Sequence, residues 1–279
     1  MKPKIIVVCG PTSTGKSDYA VKLAKQINGE IISADSRQVY IGMDIGSGKI
    51  TKKEMDGIPH YMLDVASPKR TFSAAQYKKH AGRYITKILK KRKTPIICGG
   101  TGFYIDALLG LEFPEVKPNP ALRKKLEKQS TIELAKQLET LDRERYESID
   151  VHNKVRLIRA IEIATTLGKV PKIIKKTPYD VSWILLDMPD EELKQRIEKR
   201  LLSRLKKGMV AEVEKLHTNG VSFQKLVSFG LEYKYCALYI QKKISKRDMI
   251  EAIKTASWQY VKRQRTWLKR NKAIAYTHP

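Results

Sequence analysis

Residues Gly10, Pro11, Thr12, Ser13, Thr14, Gly15, Lys16 and Ser17 spell G-x-x-x-x-G-K-S, a spacing that cradles a di- or triphosphate. In such a loop, successive backbone N–H groups and the N-terminus of the following helix converge on one anion. Lys16 can supply counter-charge, and the Ser17 hydroxyl can ligate a magnesium ion. The group carrying the phosphate is left open. A bound nucleotide such as ATP, turned over by a kinase or NTPase, is one reading.

Other positions could also do chemistry. Asp35 follows the apolar run 31–34, and ligands of open α/β sheets bind outside the carboxyl ends of the strands. It reads as a general base, as a magnesium ligand, or as the cap of an Asp-Ser turn. Gly99-Gly100-Thr101-Gly102 follows the run 95–98, and the same strand-end logic brings Thr101 beside the phosphate loop. Asp187 mimics a metal-binding aspartate at a strand end, but Pro189 and Asp190 mark a helix start and favour a structural role. In the glycine-bearing loop 43–49, Asp44 is a capping candidate and Lys49 a candidate phosphate ligand; His60 reads as structural.

These positions need a sheet and helices to hold them. Apolar runs at 4–9, 30–34, 95–98 and 182–187 predict parallel strands, the first launching the phosphate loop. A strand-like stretch also covers 61–65. Ala20, Leu23, Ala24 and Ile27 recur at helical spacing behind the loop, and helical patterns at 74–91 and 190–206 separate the later strands. This alternation predicts an α/β fold, a P-loop NTPase-like parallel-sheet core. Residues 113–181 differ: prolines 114, 118 and 120 open the stretch, prolines 171 and 178 close it, and helical patterns at 122–128, 132–141 and 153–167 fill it. We therefore expect a catalytic core from 1–112 and 182–279 and a helical insertion domain from 113–181. Ser245 and Asp248 resemble a capping box, followed by a long helix with Ile250, Ile253, Ser257, Tyr260, Val261 and Leu268 on one face.

Composition narrows the partners. Lys and Arg number 55 against 29 acids, a net charge of +26, which favours a polyanion. The 42% apolar content supports a packed core. Cys9, Cys98 and Cys236 form no CxxC and read as free thiols of a reducing compartment. With no apolar run near membrane-span length and an N-terminal run too short for a signal peptide, a cytoplasmic protein without a membrane partner is expected. Two basic stretches, 154–159 and 262–270, suit nucleic acid, with phosphate contacts from Lys and Arg and stacking of an unpaired base on an aromatic such as Trp267.

Seven segments, GPTSTGKS, ISADSRQVYIGMDIGSGK, GIPHYMLDV, FSAAQY, ICGGTGFYIDALL, RLIRAIEI and VKRQRTWLKR, occur in this order between Gly10 and Arg270. In them the chain resembles the tRNA dimethylallyltransferases, which place an isopentenyl-type group on the N6 amine of adenosine 37, beside the anticodon. The resemblance implies that Gly10–Ser17 holds the diphosphate of dimethylallyl diphosphate, with Lys16 on its oxygens and Ser17 on magnesium. It implies that Asp35 is the general base, that Thr101 lies where adenosine meets diphosphate, and that Arg200 stabilises the leaving group. Asp35, Ser36, Arg37, Gln38, Thr101, Arg123, Val155, Arg156, Leu157, Ile158 and Arg159 would touch the tRNA, and the insertion would clasp the anticodon stem of a monomeric enzyme.

The chain departs from that pattern in places. His152-Asn153-Lys154 lacks the proline of the family's His-Pro-Asn-Asp, and Gly230-Leu231-Glu232-Tyr233 replaces a Gly-Tyr pair. The absence of zinc-finger cysteines near the last basic helix suggests a compact bacterial-type enzyme. An adenylate isopentenyltransferase would use the same core on free AMP, ADP or ATP, but needs neither the insertion nor a charge of +26. A catalytically silent RNA-binding module would not need Lys16, Ser17, Asp35 and Thr101 together.

Overall fold

The computed structural model describes residues 2–172, 176–271 and 274. Among them, β1 (Lys4–Cys9), β2 (Gly29–Ser33), β3 (His60–Tyr61), β4 (Thr94–Gly99) and β5 (Asp180–Leu185) form one parallel sheet in the order β3-β2-β4-β1-β5. Helices α1 (Lys16–Gln26), α2 (Lys52–Met55), α3 (Ala74–Lys90) and α4 (Gly102–Leu108) alternate with the first four strands. Next come α5 (Pro120–Leu126), α6 (Thr131–Leu141), α7 (Arg143–Ser148) and α8 (Lys154–Leu167). After β5 follow α9 (Asp190–Lys206), α10 (Met209–Thr218), α11 (Phe223–Phe229), α12 (Leu231–Ile240) and α13 (Lys246–Lys269). The α/β class and parallel core expected from the sequence are present.

Register explains the apolar runs. Ile6 pairs with Ile96, Val8 with Cys98 and Ile31 with Ile96, and these side chains meet Ala20, Val21 and Ala24 of α1. Their alternates Ile5, Val7, Ile32 and Ile97 are buried on the opposite face. A sheet covered on both faces cannot alternate apolar with polar residues, so its strands read as continuous hydrophobic stretches. The expected strand at 61–65 shrinks to two residues because Met62 (φ 65°) and Asp64 (φ 55°) leave the β region and end the ladder.

The chain forms two compact units, Met1–Gly110 with Lys176–Pro279, and Leu111–Lys175. The second unit stops short of residue 181 because the Lys176 N–H returns to the Gly110 carbonyl (3.4 Å) and β5 already begins at Asp180. Within it, α5, α6 and α8 enclose Leu126, Leu134, Leu138, Leu157 and Ile161. Asn153 caps α8 by accepting from the Arg156 N–H at 3.2 Å, so the helix starts on the same asparagine without the family's proline. Helix α7 has too few residues to show a period; it is defined by Asp142, which caps it at the Arg145 N–H (3.0 Å) and also takes the Val170 N–H (2.7 Å).

Glu162 of α8 is 1% exposed. It accepts from Arg123 Nε (3.0 Å) and Nη2 (2.7 Å), from the Asn119 N–H (2.6 Å), and from Arg159. Burial alone would raise this carboxyl; the hydrogen bonds from Arg123, Asn119 and Arg159 outweigh it and hold it at about 2. Among the described residues no helix is long and apolar enough to cross a membrane, and Cys9, Cys98 and Cys236 are buried free thiols.

The sign of a pH effect follows from Glu162. Its folded pKa lies below the ordinary 4.5, so its contribution is fully present above 4.5 and lost as pH falls towards 2. Glu162→Gln should destabilise the second unit by about 3 kcal/mol at neutral pH and flatten that acid dependence. Hydrogen exchange of peptides from residues 111–172, followed through an acid titration, reads both effects.

Candidate active site

Three neighbouring strands, β1, β4 and β2, deliver the phosphate loop, the Gly99–Gly102 turn and Asp35 to one edge of the sheet. At Gly10 (φ 150°) a Cβ would lie 2.0 Å from the Leu186 carbonyl oxygen, so only glycine lets the chain turn there. Thr14 Oγ1 donates to the Pro11 carbonyl at 2.9 Å and stiffens the loop. Lys16 Nζ folds back onto that carbonyl and onto Thr14 Oγ1. The buried Ser13 hydroxyl has no hydrogen-bond partner. Arg200 of α9 donates from Nη2 to Thr12 Oγ1 at 2.6 Å.

Both cations are under-compensated. Burial drives the Lys16 ammonium from 10.5 down to about 8. Burial, then the like charge of Arg204, pushes the Arg200 guanidinium down to about 9. Two such cations, an orphan hydroxyl and a helix N-terminus fit a multiply charged phosphate. Ser17, in the first turn of α1, lines the same cavity. Among the described residues no cluster of His, Cys, Asp and Glu could hold a metal ion by itself. A magnesium ion there would need phosphate oxygens beside Ser17, which is the donor set such an ion prefers.

Asp35 serves two purposes. Its Oδ1 accepts from the Arg37 N–H (2.7 Å) and the Gln38 N–H (3.3 Å), which is the turn cap. Its Oδ2 hydrogen-bonds none of the described residues. Thr101 Oγ1 accepts from the Ser36 N–H at 3.0 Å, while the Thr101 N–H donates to the Ala34 carbonyl at 3.1 Å. Tyr260, whose phenol burial pushes up to about 12, donates to the Gly100 carbonyl at 3.5 Å. A cavity of about 360 Å³ over the phosphate loop and a second of about 600 Å³ share Thr12, Asp35, Ser47, Arg200, Arg204 and Tyr260. The second is lined by Arg37, Lys234, Arg263, Phe229 and Tyr235. The free carboxylate oxygen of Asp35 thus belongs to a residue shared by the cavity over the phosphate loop and a cationic, aromatic one.

The loop 43–49 walls both cavities and is gripped from below. Glu212 accepts from the N–H groups of Asp44 (2.9 Å), Ile45 (2.6 Å) and Gly46 (3.0 Å), and from the Tyr233 hydroxyl (2.9 Å). Arg204 Nη1 donates to the Gly46 carbonyl (3.1 Å) and to Glu232 (2.9 Å). Lys49 is corrected from its expected phosphate role: it is spent on Asp44, Asp64 and the Tyr40 carbonyl.

A family model described as IPP transferase matches residues 38–271. The chain belongs to the IPP transferase family. It is 41% identical over 273 residues to a tRNA dimethylallyltransferase 2 of Shewanella sediminis, covering 95% of this chain and 89% of that one. It is 40% identical to another from Treponema denticola, covering 96% and 92%. Among solved structures, the full-length tRNA isopentenylpyrophosphate transferase of Bacillus halodurans superposes with a TM-score of 0.76 at 33% identity, covering 99% of this chain and 90% of that chain. A eukaryotic dimethylallyltransferase solved acting on tRNA gives a TM-score of 0.83 at 25% identity, covering 99% and 74%.

In this IPP transferase, Lys16, Ser17, Asp35, Gln38 and Arg200 line the first cavity, and Asp35, Ser36 and Arg37 line the second. The α8 residues divide. Val155 (77% exposed) and Arg156 face solvent, whereas Leu157 and Ile158 are buried in the core of the second unit. Those two side chains are therefore corrected from RNA contacts to packing residues. Arg123 and Arg159 are both engaged by Glu162. The basic stretch 262–270 divides too. Arg265 is drawn to Asp187 (Nη2, 2.9 Å) and Asp190, while Trp267 donates to Asp106 at 2.6 Å and packs its ring so close to Gly102 that a Cβ there would lie 2.2 Å from it. Lys262, Arg263, Lys269 and Arg270 stay exposed. Sequence reasoning assigned no role to Arg204, Glu212 or Gln264. Gln264 alone left a signal, as a polar residue that falls, like Ser257, on the buried face of α13.

Lys16 would make the binding of an anion over the phosphate loop depend on pH. A bound diphosphate stabilises the ammonium, so affinity is full below the free-state value of about 8 and declines as pH rises through it. An alkyl diphosphate, fully ionised in this range, should lose up to about tenfold in affinity per pH unit there. Lys16→Met should bind about 100-fold more weakly and lose that slope, as read by calorimetric titration.

Proposed function

We propose that this protein is a tRNA dimethylallyltransferase, moving a dimethylallyl group from its diphosphate to the N6 amine of adenosine 37 in the anticodon loop. The observation that carries the reading is Asp35, with Oδ1 committed to the Arg37 and Gln38 amides and Oδ2 left over, shared by the two cavities. The relatives' names give the reaction, and the charge of +26 suits a polyanionic acceptor.

The step balances within this set of residues. The N6 lone pair forms a bond to the allylic carbon as the carbon–oxygen bond breaks, and the electron pair leaves with the diphosphate. An exocyclic amine becomes acidic only as that bond forms, and Asp35 Oδ2 takes its proton in the transition state. The loop amides, Lys16 and Arg200 meet the charge growing on the departing oxygens. Magnesium, held by Ser17 with the diphosphate, would add further neutralisation of that charge. The target base must leave its stack to enter a strand-end pocket, and the 600 Å³ cavity, lined by Arg37, Lys234, Tyr235 and Arg263, has room and chemistry for a nucleotide. The second unit, with Arg156 and Val155 outward on α8, would supply contacts to the anticodon stem.

The test incubates the protein with magnesium, labelled dimethylallyl diphosphate and an anticodon stem-loop carrying the target adenosine, with AMP in a parallel reaction. Label is expected in the RNA and not in AMP. Asp35→Ala should slow single-turnover transfer by about 100-fold or more while RNA affinity stays within about threefold. Equal loss of rate and RNA affinity would remove Asp35 as the base, and transfer to AMP in preference to RNA would make the acceptor a free nucleotide.

A further inference from the structure

Helix α13 meets the ends of several strands, and each contact is made by a different side chain. Arg265 holds Asp187 and Asp190 past β5, and Trp267 holds Asp106 of α4. Between the phosphate loop and the Gly99–Gly102 turn lies Gln264, 6% exposed. Its Oε1 accepts from the Thr12 N–H at 2.9 Å, and its Nε2 donates to the Gly100 carbonyl at 2.9 Å. A Cβ on Gly100 would fall 2.1 Å from Nε2, so any side chain there would push the carboxamide from its present place.

Each loop that Gln264 touches carries one half of the proposed chemistry. Thr12 is bonded through its hydroxyl to Arg200, on the leaving-group side. Gly100 is followed by Thr101, whose hydroxyl accepts from Ser36 beside Asp35, on the acceptor side. A continuous line of hydrogen bonds and chain therefore runs from Arg200 through Thr12, Gln264 and Thr101 to Asp35. An amide side chain offers an acceptor and a donor on one rigid plane, and the longer of the two amides reaches both partners here.

We infer that Gln264 is a positioning residue of the transfer step: its carboxamide sets the separation between the phosphate loop and the Thr101–Asp35 edge. This rests on the prenyl-transfer reading above. Reaction between two bound groups is steeply sensitive to their spacing, and a displacement of about 1 Å costs on the order of 100-fold in rate. Gln264 touches neither reacting atom, so its effect should fall on the rate at saturation and leave RNA affinity in place; it also lines the cavity over the phosphate loop, so the comparison is made at saturating donor.

Two variants of the full chain test this. Gln264→Met keeps the shape and loses both hydrogen bonds. Gln264→Glu keeps the acceptor for Thr12 and sets a carboxylate against the Gly100 carbonyl. Arg265 and Trp267 still anchor α13 in both. At saturating donor and stem-loop RNA, single-turnover transfer should fall about 30- to 100-fold in each, with RNA affinity and folded fraction held within about twofold of native. Hydrogen exchange of the peptide covering residues 10–15 should quicken in Gln264→Met and stay near native in Gln264→Glu. Transfer by Gln264→Met within about threefold of native, or a rate loss matched by an equal loss of folded protein, would overturn the proposal. If the native chain transfers no prenyl group to RNA, the reaction assignment fails by itself. The exchange measurement then decides the strut alone, and an unchanged 10–15 peptide in Gln264→Met overturns it.

Discussion

The adjacency and level register of β2, β4 and β1 is the constraint on which the site depends. Cys9 pairs with Gly99, and Ser33 with Cys98, so the three strands run out within a residue or two of one another. Parallel strands about 4.8 Å apart then release three chains side by side on one edge. One becomes the phosphate loop, one carries Asp35 and one carries Thr101. No single segment holds the site; the sheet assembles it, and long-range contacts from α9 and α13 to Thr12 and Gly100 finish it.

Charge is divided between two uses. Where a cation has found a fixed acid, it builds structure: Arg123 and Arg159 on Glu162, Arg265 on Asp187 and Asp190, Lys49 on Asp44 and Asp64. Over the phosphate loop the balance is reversed. Lys16 and Arg200 are pulled below their ordinary pKa values because burial strips water from them and the more distant acids, Asp35 and Glu232, only partly offset it. An anionic ligand would relieve that imbalance, and in the proposed reaction the departing diphosphate would be that ligand. Arg204 is an intermediate case, held by Glu232 at 2.9 Å while its guanidinium also secures the cavity wall at Gly46. The glutamate that departs from the family's Gly-Tyr pair thus has a partner within the site.

The parts of this arrangement that are local in sequence could be read from it, and the parts that depend on distant pairing could not. The phosphate loop announces itself because one strand, one turn and one helix start suffice to make it. Asp35 and Thr101 could be placed because buried parallel strands are unbroken apolar runs and ligands collect at their ends. The capping box at Ser245 and Asp248 is equally local and is present. In contrast, the stretches 154–159 and 262–270 are basic on paper, and only the helix phase decides which residues face out. That phase turns Leu157 and Ile158 inward and leaves Val155 and Arg156 outside. The fate of Arg265 was set by Asp187, 78 residues away, and that of Gln264 by Thr12, 252 residues away. Lys49 was misplaced for a similar reason, since Asp64 reaches it only after the chain has formed β3 and turned.

The fate of the two halves of the donor tests the chemistry most directly, because a phosphate loop by itself is equally suited to moving phosphorus. Dimethylallyl diphosphate carrying radiocarbon in the prenyl group and radiophosphorus in the diphosphate would be incubated with the protein, magnesium and the stem-loop RNA. Attack of the adenine amine on the allylic carbon predicts radiocarbon on the target adenosine and all of the radiophosphorus released as free diphosphate. Radiophosphorus in the RNA, or an unlabelled RNA alongside hydrolysis of added ATP, would contradict carbon transfer and return the loop to kinase or NTPase chemistry.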